Sequence, residues 1–270
     1  MERARGDGRG RGGCGSGCSA RKAARRAVYP WINSQIIAVA DTGNLSLLML
    51  TIETHASEMN LVNIATALHR LARLAAGRPE APPLRPLLLR LAALAGTALQ
   101  RMQAGTGAAH AQALSNIAWS FATLHFVDVP LLQVITEAAH ARIESFKPFE
   151  LTMILWAFAK LGTLDPAAWD SSLGIFRKGA AELLRRPQDF TFRCLVMSTW
   201  AFATAGWRQP ALFRGLAPHL ARLAAEGSCR ELASAVWALG SAGVREETLC
   251  QELDRKASLQ HGTEDLAMVL

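Results

Sequence analysis

Tyrosine occurs once in the 270 residues, at Tyr29, and β-branched residues are thinly spread. Strands draw on those residue types, so their scarcity argues against a sheet. No apolar run approaches the ~18 residues of a membrane-spanning helix. Cysteine is confined to Cys14, Cys18, Cys194, Cys229 and Cys250. An odd number without regular spacing argues against a disulfide framework. Cys14 and Cys18 form a lone C-x3-C without the second ligand pair that a closed zinc site requires. The pattern fits a reducing compartment, with the three later cysteines serving as small apolar residues. Catalytic signatures are also missing. His55, His69, His110, His125, His140, His219 and His261 sit at helical positions without a Ser, Cys or carboxylate set in a known motif. There is no Gly-rich phosphate loop ending in Lys-Ser/Thr and no H-E-x-x-H, and the glycines of GDGRGRGG follow no strand. The expectation is a chain that is not an enzyme and uses no metal, cofactor or small-molecule substrate.

Half of the residues are hydrophobic, and these are mostly Ala and Leu, the strongest helix formers. The positive mean hydropathy therefore reads as a long helical core. The net charge of +7 is localised: residues 1–30 hold eight basic and two acidic residues, and the remaining 240 hold 21 and 20. The basic character belongs to the N-terminal segment, and the rest of the chain is close to neutral, which weakens any nucleic-acid argument from charge alone. Residues 1–30 contain seven Gly and seven Arg without apolar periodicity, and are expected to be disordered. Three readings of that segment stand open: an organellar transit peptide, an Arg/Gly tail that attracts RNA, and an unstructured leader. It has no apolar stretch of the kind a secretory signal needs.

From Trp31 onward the sequence repeats. Leu114–Leu124 (LSNIAWSFATL), Leu151–Leu161 (LTMILWAFAKL), Leu195–Ala205 (LVMSTWAFATA) and Leu232–Ala242 (LASAVWALGSA) align without gaps, and Leu61–Leu71 (LVNIATALHRL) fits with Thr66 in the Trp slot. The slots fall at 66, 119, 156, 200 and 237, with steps of 53, 37, 44 and 37, so the basic unit has 37 residues. The longer steps are expected to hold insertions at 76–86, 104–109 and 185–192. Each unit is predicted to contain two helices, the second opening near Pro83, Pro130, Pro166 or Pro210, since proline suits a first helical turn. The fold expected for 31–270 is all-α, a right-handed α-solenoid of helix pairs. Glu264–Leu270 resembles the run-in to a further Trp slot at 271, from which a chain truncated at its C-terminus is expected.

Numbered from the leucine, motif positions 1, 4, 5, 8 and 11 share one side at 100° per residue and form the core. Position 6, the Trp, lies across from them. Two readings of Trp119, Trp156, Trp200 and Trp237 stand open: packing between repeats, and stacking on RNA bases. A third face, positions 3, 7, 10 and 14, is small or polar and varies between repeats. It contains Asn63, Ala67 and Arg70; Asn116, Ser120 and Thr123; Met153, Ala157 and Lys160; Met197, Ala201, Thr204 and Arg208; and Ser234, Ala238, Ser241 and Arg245. It is either a solvated face or the variable stripe with which repeat scaffolds read one base each. On the second reading, the polar members at positions 3 and 10 reach base edges, and Lys160, Arg208 and Arg245 meet phosphates.

Leu151–Gly162 (LTMILWAFAKLG) resembles the core of octotricopeptide and heptatricopeptide repeats, which are shared with FAST-kinase-like leucine-rich proteins and RAP-domain proteins. Met59–Leu74 (MNLVNIATALHRLARL) is similar to the opening unit of such arrays. The resemblance covers about 55–270 and is carried by L-x-x-x-x-W-A-x-A. It implies a protein that binds single-stranded RNA in mitochondria or plastids, alongside other organellar RNA-processing proteins, in RNA processing, stability, ribosomal RNA maturation or editing. Within the 270 residues no RAP-like module follows the repeats, in line with the expected truncation. The alternative is a protein–protein interaction scaffold of HEAT or armadillo type.

Overall fold

The computed structural model describes residues 16–77, 83–102, 107–207 and 209–267, and these residues are helical with no strand among them. In chain order the helices are α1 (Ser16–Asp41), α2 (Leu45–His55), α3 (Leu61–Ala75), α4 (Arg85–Arg101), α5 (Gly107–Thr123) and α6 (Val129–His140). They continue with α7 (Pro148–Leu164), α8 (Ala167–Arg185), α9 (Phe192–Thr204), α10 (Pro210–Leu223), α11 (Cys229–Ser241) and α12 (Glu247–Ala267). The protein is therefore all-α. The boundary expected at residue 30 falls inside α1, which runs unbroken from Ser16 through Trp31.

The helices lie in two rows. Each odd helix packs on the odd helices before and after it, from α1 to α11, and α4, α6, α8, α10 and α12 form a parallel series behind them. Within each pair the two helices also touch, so α3, α5, α7 and α9 each meet neighbours on both flanks and a partner at the back, whereas α11 is flanked on one side only among the described residues. This arrangement explains why Leu151–Leu161 is apolar almost all round: α7 sits between α5 and α9 and is covered by α8. Positions 1, 4, 5, 8 and 11 of α7 (Leu151, Ile154, Leu155, Phe158 and Leu161) have no accessible surface. The equivalent Leu114, Ile117, Ala118 and Phe121 of α5 are buried too.

Local chemistry sets the helix starts. Lys147, Thr191 and Ser228 each precede the first motif leucine by four residues and cap α7, α9 and α11. The Thr191 and Ser228 hydroxyls accept from backbone N–H groups, while the Glu150 and Glu231 carboxylates accept from the backbone N–H groups of Lys147 and Ser228. These are orphan donors of a first turn. Pro130, Pro166 and Pro210 open α6, α8 and α10 as expected, but α4 begins at Arg85 with Pro86, not Pro83, in its first turn.

The 44-residue step also departs from expectation. Its extra seven residues are not a loop at 185–192. They lie in α8, which has 19 residues against 12 in α6. Seven residues are about two helical turns, so the added length returns each face to its original direction. At the C-terminal side, Glu264–Ala267 continues α12 without a break and does not open a new helix.

Candidate nucleic-acid interface

Packing on both flanks and at the back leaves α3, α5, α7 and α9 a narrow accessible strip, and α11, flanked on one side, a wider one. Residues three and four apart on a helix share a face, and the strip runs through motif positions −1, 3, 6, 10 and 13, interrupted where Asn63, Met153 and Phe126 are buried. At position 6, Trp119, Trp156 and Trp200 are partly accessible, and Trp237 is 50% exposed. The four rings are thus not enclosed between helices as the packing reading expected. They stand at the edge of the core with one side open, and Trp237 is the most open because no helix follows α11 in its row among the described residues.

Position 7 behaves in the opposite way. Ala67, Ser120, Ala157, Ala201 and Ala238 have no accessible surface. Their small size serves the close approach of neighbouring helices rather than of a ligand. The Ser120 hydroxyl donates to the Asn116 carbonyl at 2.6 Å.

The remaining stripe residues are unequal. Asn63 is 1% exposed, and its amide nitrogen donates to the Tyr29 carbonyl at 2.9 Å while its oxygen accepts from the Asn60 N–H. It ties α3 to α1. Met153 is buried, and Asn116, Met197 and Ser234 are partly open. At position 10, Arg70 is ion-paired to Asp41 at 3.1 Å. Lys160 is partly accessible and Ser241 is exposed. The Thr123 and Thr204 hydroxyls are enclosed and have no hydrogen-bond partner among the described residues, so they turn away from the strip. Arg245 is exposed and pairs with Glu247 at 3.3 Å. Arg208 and Cys14 lie outside the described residues, as does the side chain of Cys18. Among the described residues there is no cluster of His, Cys, Asp and Glu able to hold a metal, and no helix long and apolar enough to cross a membrane.

Two rings meet within the strip. Trp156 of α7 and Trp200 of α9 have centroids 6.4 Å apart and planes inclined by 32°. Nearer the start of the row, His69 lies 5.0 Å from Trp119. Burial, then the charges of Arg73 and Arg70, hold that imidazole below its usual pKa, so it is neutral at physiological pH. Beside the Trp156–Trp200 pair lies an open hollow of about 390 Å³, bounded by Arg193 and Met197 of α9 and Arg230 and Ser234 of α11. Arg193 and Arg230 occupy position −1, one turn before position 3. Extending the motif wheel by two residues toward the N-terminus would have found both. A second hollow, of about 400 Å³, is mainly apolar and lies between α11 and α12, against Val236, Leu239, Val244 and Leu249. Set against known proteins, the chain matches no family model and no curated protein.

Proposed function

We propose that this chain is an RNA-binding helical repeat protein, a right-handed α-solenoid with a 37-residue unit, and that single-stranded RNA runs along the strip of its motif helices. The observation that carries the reading is the register of partly open Trp119, Trp156, Trp200 and Trp237 with Lys160, Arg193 and Arg230. Proteins that hold single strands combine aromatic platforms with a basic track along the backbone, and stacking tolerates any base. Most of the stripe's side chains are not placed to read base edges. Asn63 and Ser120 are buried and hydrogen-bonded within the protein, and the Thr123 and Thr204 hydroxyls face inward. Asn116, Ser234 and Ser241 are the open polar members. The Arg/Gly segment at the N-terminus adds unspecific attraction. On this reading, which the resemblance to octotricopeptide-type and FAST leucine-rich repeats supports, the protein acts in a mitochondrion or plastid, in RNA processing, stability or ribosomal RNA maturation.

Ultraviolet crosslinking in cells, followed by sequencing of the attached RNA, tests the reading. The expected result is a defined set of transcripts well above the background without irradiation. Recovery no different from that background overturns it. The apolar hollow between α11 and α12 favours the alternative, a scaffold that binds protein, and that reading takes precedence if purification yields a stoichiometric protein partner and no RNA.

A further inference from the structure

The hollow between α7, α9 and α11 has two chemically different sides. One is the ring pair Trp156 and Trp200, continued by the apolar side chains of Val196 and Met197. The other is the rim formed by Arg193 and Arg230, both exposed, whose guanidinium groups make no hydrogen bond or ion pair among the described residues. Each arginine stands in the first turn of its helix, α9 or α11. The positive end of a helix dipole disfavours a cation there, so helix stability does not account for either one. Glu231 also lines the hollow, but its carboxylate is already engaged. It accepts from the Ser228 N–H at 3.0 Å and from the Ser228 hydroxyl at 2.8 Å. Those two bonds, in that order, hold its carboxyl below the usual value, with smaller contributions from the charges of Arg193 and Lys256. The rim keeps a net positive charge with Glu231 counted. The volume of about 390 Å³ falls within the roughly 300–1,000 Å³ of ligand pockets.

We infer that this hollow is a seat for one nucleotide of a single strand, with the base against the open side of the Trp156–Trp200 pair and the adjoining phosphate between Arg193 and Arg230. The inference rests on the RNA-binding reading and gives it a location. An acidic peptide would satisfy the arginines but leave the ring surface without a planar partner. The seat does not discriminate between bases. The Ser228 hydroxyl donates to Glu231 and the Ser234 hydroxyl donates to the Arg230 carbonyl at 2.9 Å, so neither donor is free for a base edge. Stacking alone accepts all four bases.

The test uses the full chain and fluorescent ten-nucleotide oligo(U) and oligo(A), with fluorescence anisotropy read across a salt series. Arg193→Ala and Arg230→Ala should each weaken binding about 2–10-fold, equally for both oligomers, and each should lower the salt slope by ~0.7. Their circular-dichroism melts should match the parent, since both side chains are exposed. Oligo(U) carrying 5-iodouridine should photocrosslink to Trp156 or Trp200, located by peptide mass spectrometry. Parent-like affinity in both arginine variants, or crosslinks only in other segments, overturns the seat while leaving the RNA-binding reading intact. Failure of the full chain to bind either oligomer at low salt overturns that reading and the seat with it. If a Trp-containing Asp/Glu decapeptide binds more tightly than either oligomer, and does so through these arginines, the hollow belongs to a protein partner and the inference is wrong.

Discussion

His125 has a φ of 52°, in the left-handed region, twelve residues into the motif that begins at Leu114. Gly206 and Gly243 occupy the same motif position after α9 and α11, at φ 65° and 70°. Only glycine adopts that conformation without a steric cost, which for other residues is roughly 1–2 kcal/mol. Glycine returns about 0.5–1 kcal/mol of that through its extra freedom in the unfolded chain. His125→Gly should therefore stabilise the protein by about 0.5–1 kcal/mol, visible as a higher urea midpoint at unchanged slope. A lower midpoint would mean that the imidazole makes a contact worth more than the strain. Glu182 is the second residue with a measurable signature. Its buried carboxylate binds Arg185 at 2.6 Å and Arg186 at 3.1 Å, and Arg186 donates to the Phe146 carbonyl, joining the end of α8 to the turn before α7. The hydrogen bond from Arg185 is the largest cause of its lowered pKa, and burial opposes it. A folded pKa below the ordinary 4.5 means stability that is complete above that pH and lost as pH falls through the folded value. Glu231 acts in the same direction, and so does Glu252, which is held down to about 2 by Arg255. In urea unfolding at a series of pH values, the gap between the parent and Glu182→Gln should be widest above pH 5 and should shrink toward pH 2. A constant gap would show that the ion pair is not responsible.

Among the helices, the motif separates two kinds of aromatic residue that look equally apolar in sequence. Phe158, at position 8, has no accessible surface, whereas Trp237, at position 6, is 50% exposed. Phe158→Ala should cost about 3–5 kcal/mol, and Trp237→Ala clearly less despite the larger ring. Comparable losses by chemical denaturation would place Trp237 in the core. The core positions and helix pairing were legible in the sequence because the 3.6-residue period and the prolines state them directly. The accessible strip was only partly legible. A wheel assigns directions, but it does not say how many neighbours a helix has. Positions 6 and 10 became one face, and position 7 became a contact, because the motif helices pack side by side in one row. The length of α8 was hidden for a different reason. Arg185–Phe192 contains a proline and polar residues and reads as an insertion, although the seven added residues extend the helix before it.

In the whole molecule, protection follows position in the rows. α7 has helices on both flanks and at its back, whereas α1, α2 and α12 lie at the ends. Local opening free energies follow such differences in burial. Amide hydrogen exchange should be slowest in α7, intermediate in α5 and α9, and fastest in α2 and α12. Uniform exchange along the chain would mean that the rows unfold as a single unit.

The same neighbour-to-neighbour packing bears on how the protein is made. The chief partners of each helix are the helices one or two places before and after it in the chain. Loops closed during folding are therefore short, and contacts of low sequence separation form quickly. As the chain leaves the ribosome, each new helix meets a surface that has already been synthesised. The growing end then exposes little more than one unpartnered flank at a time, and folding can keep pace with translation.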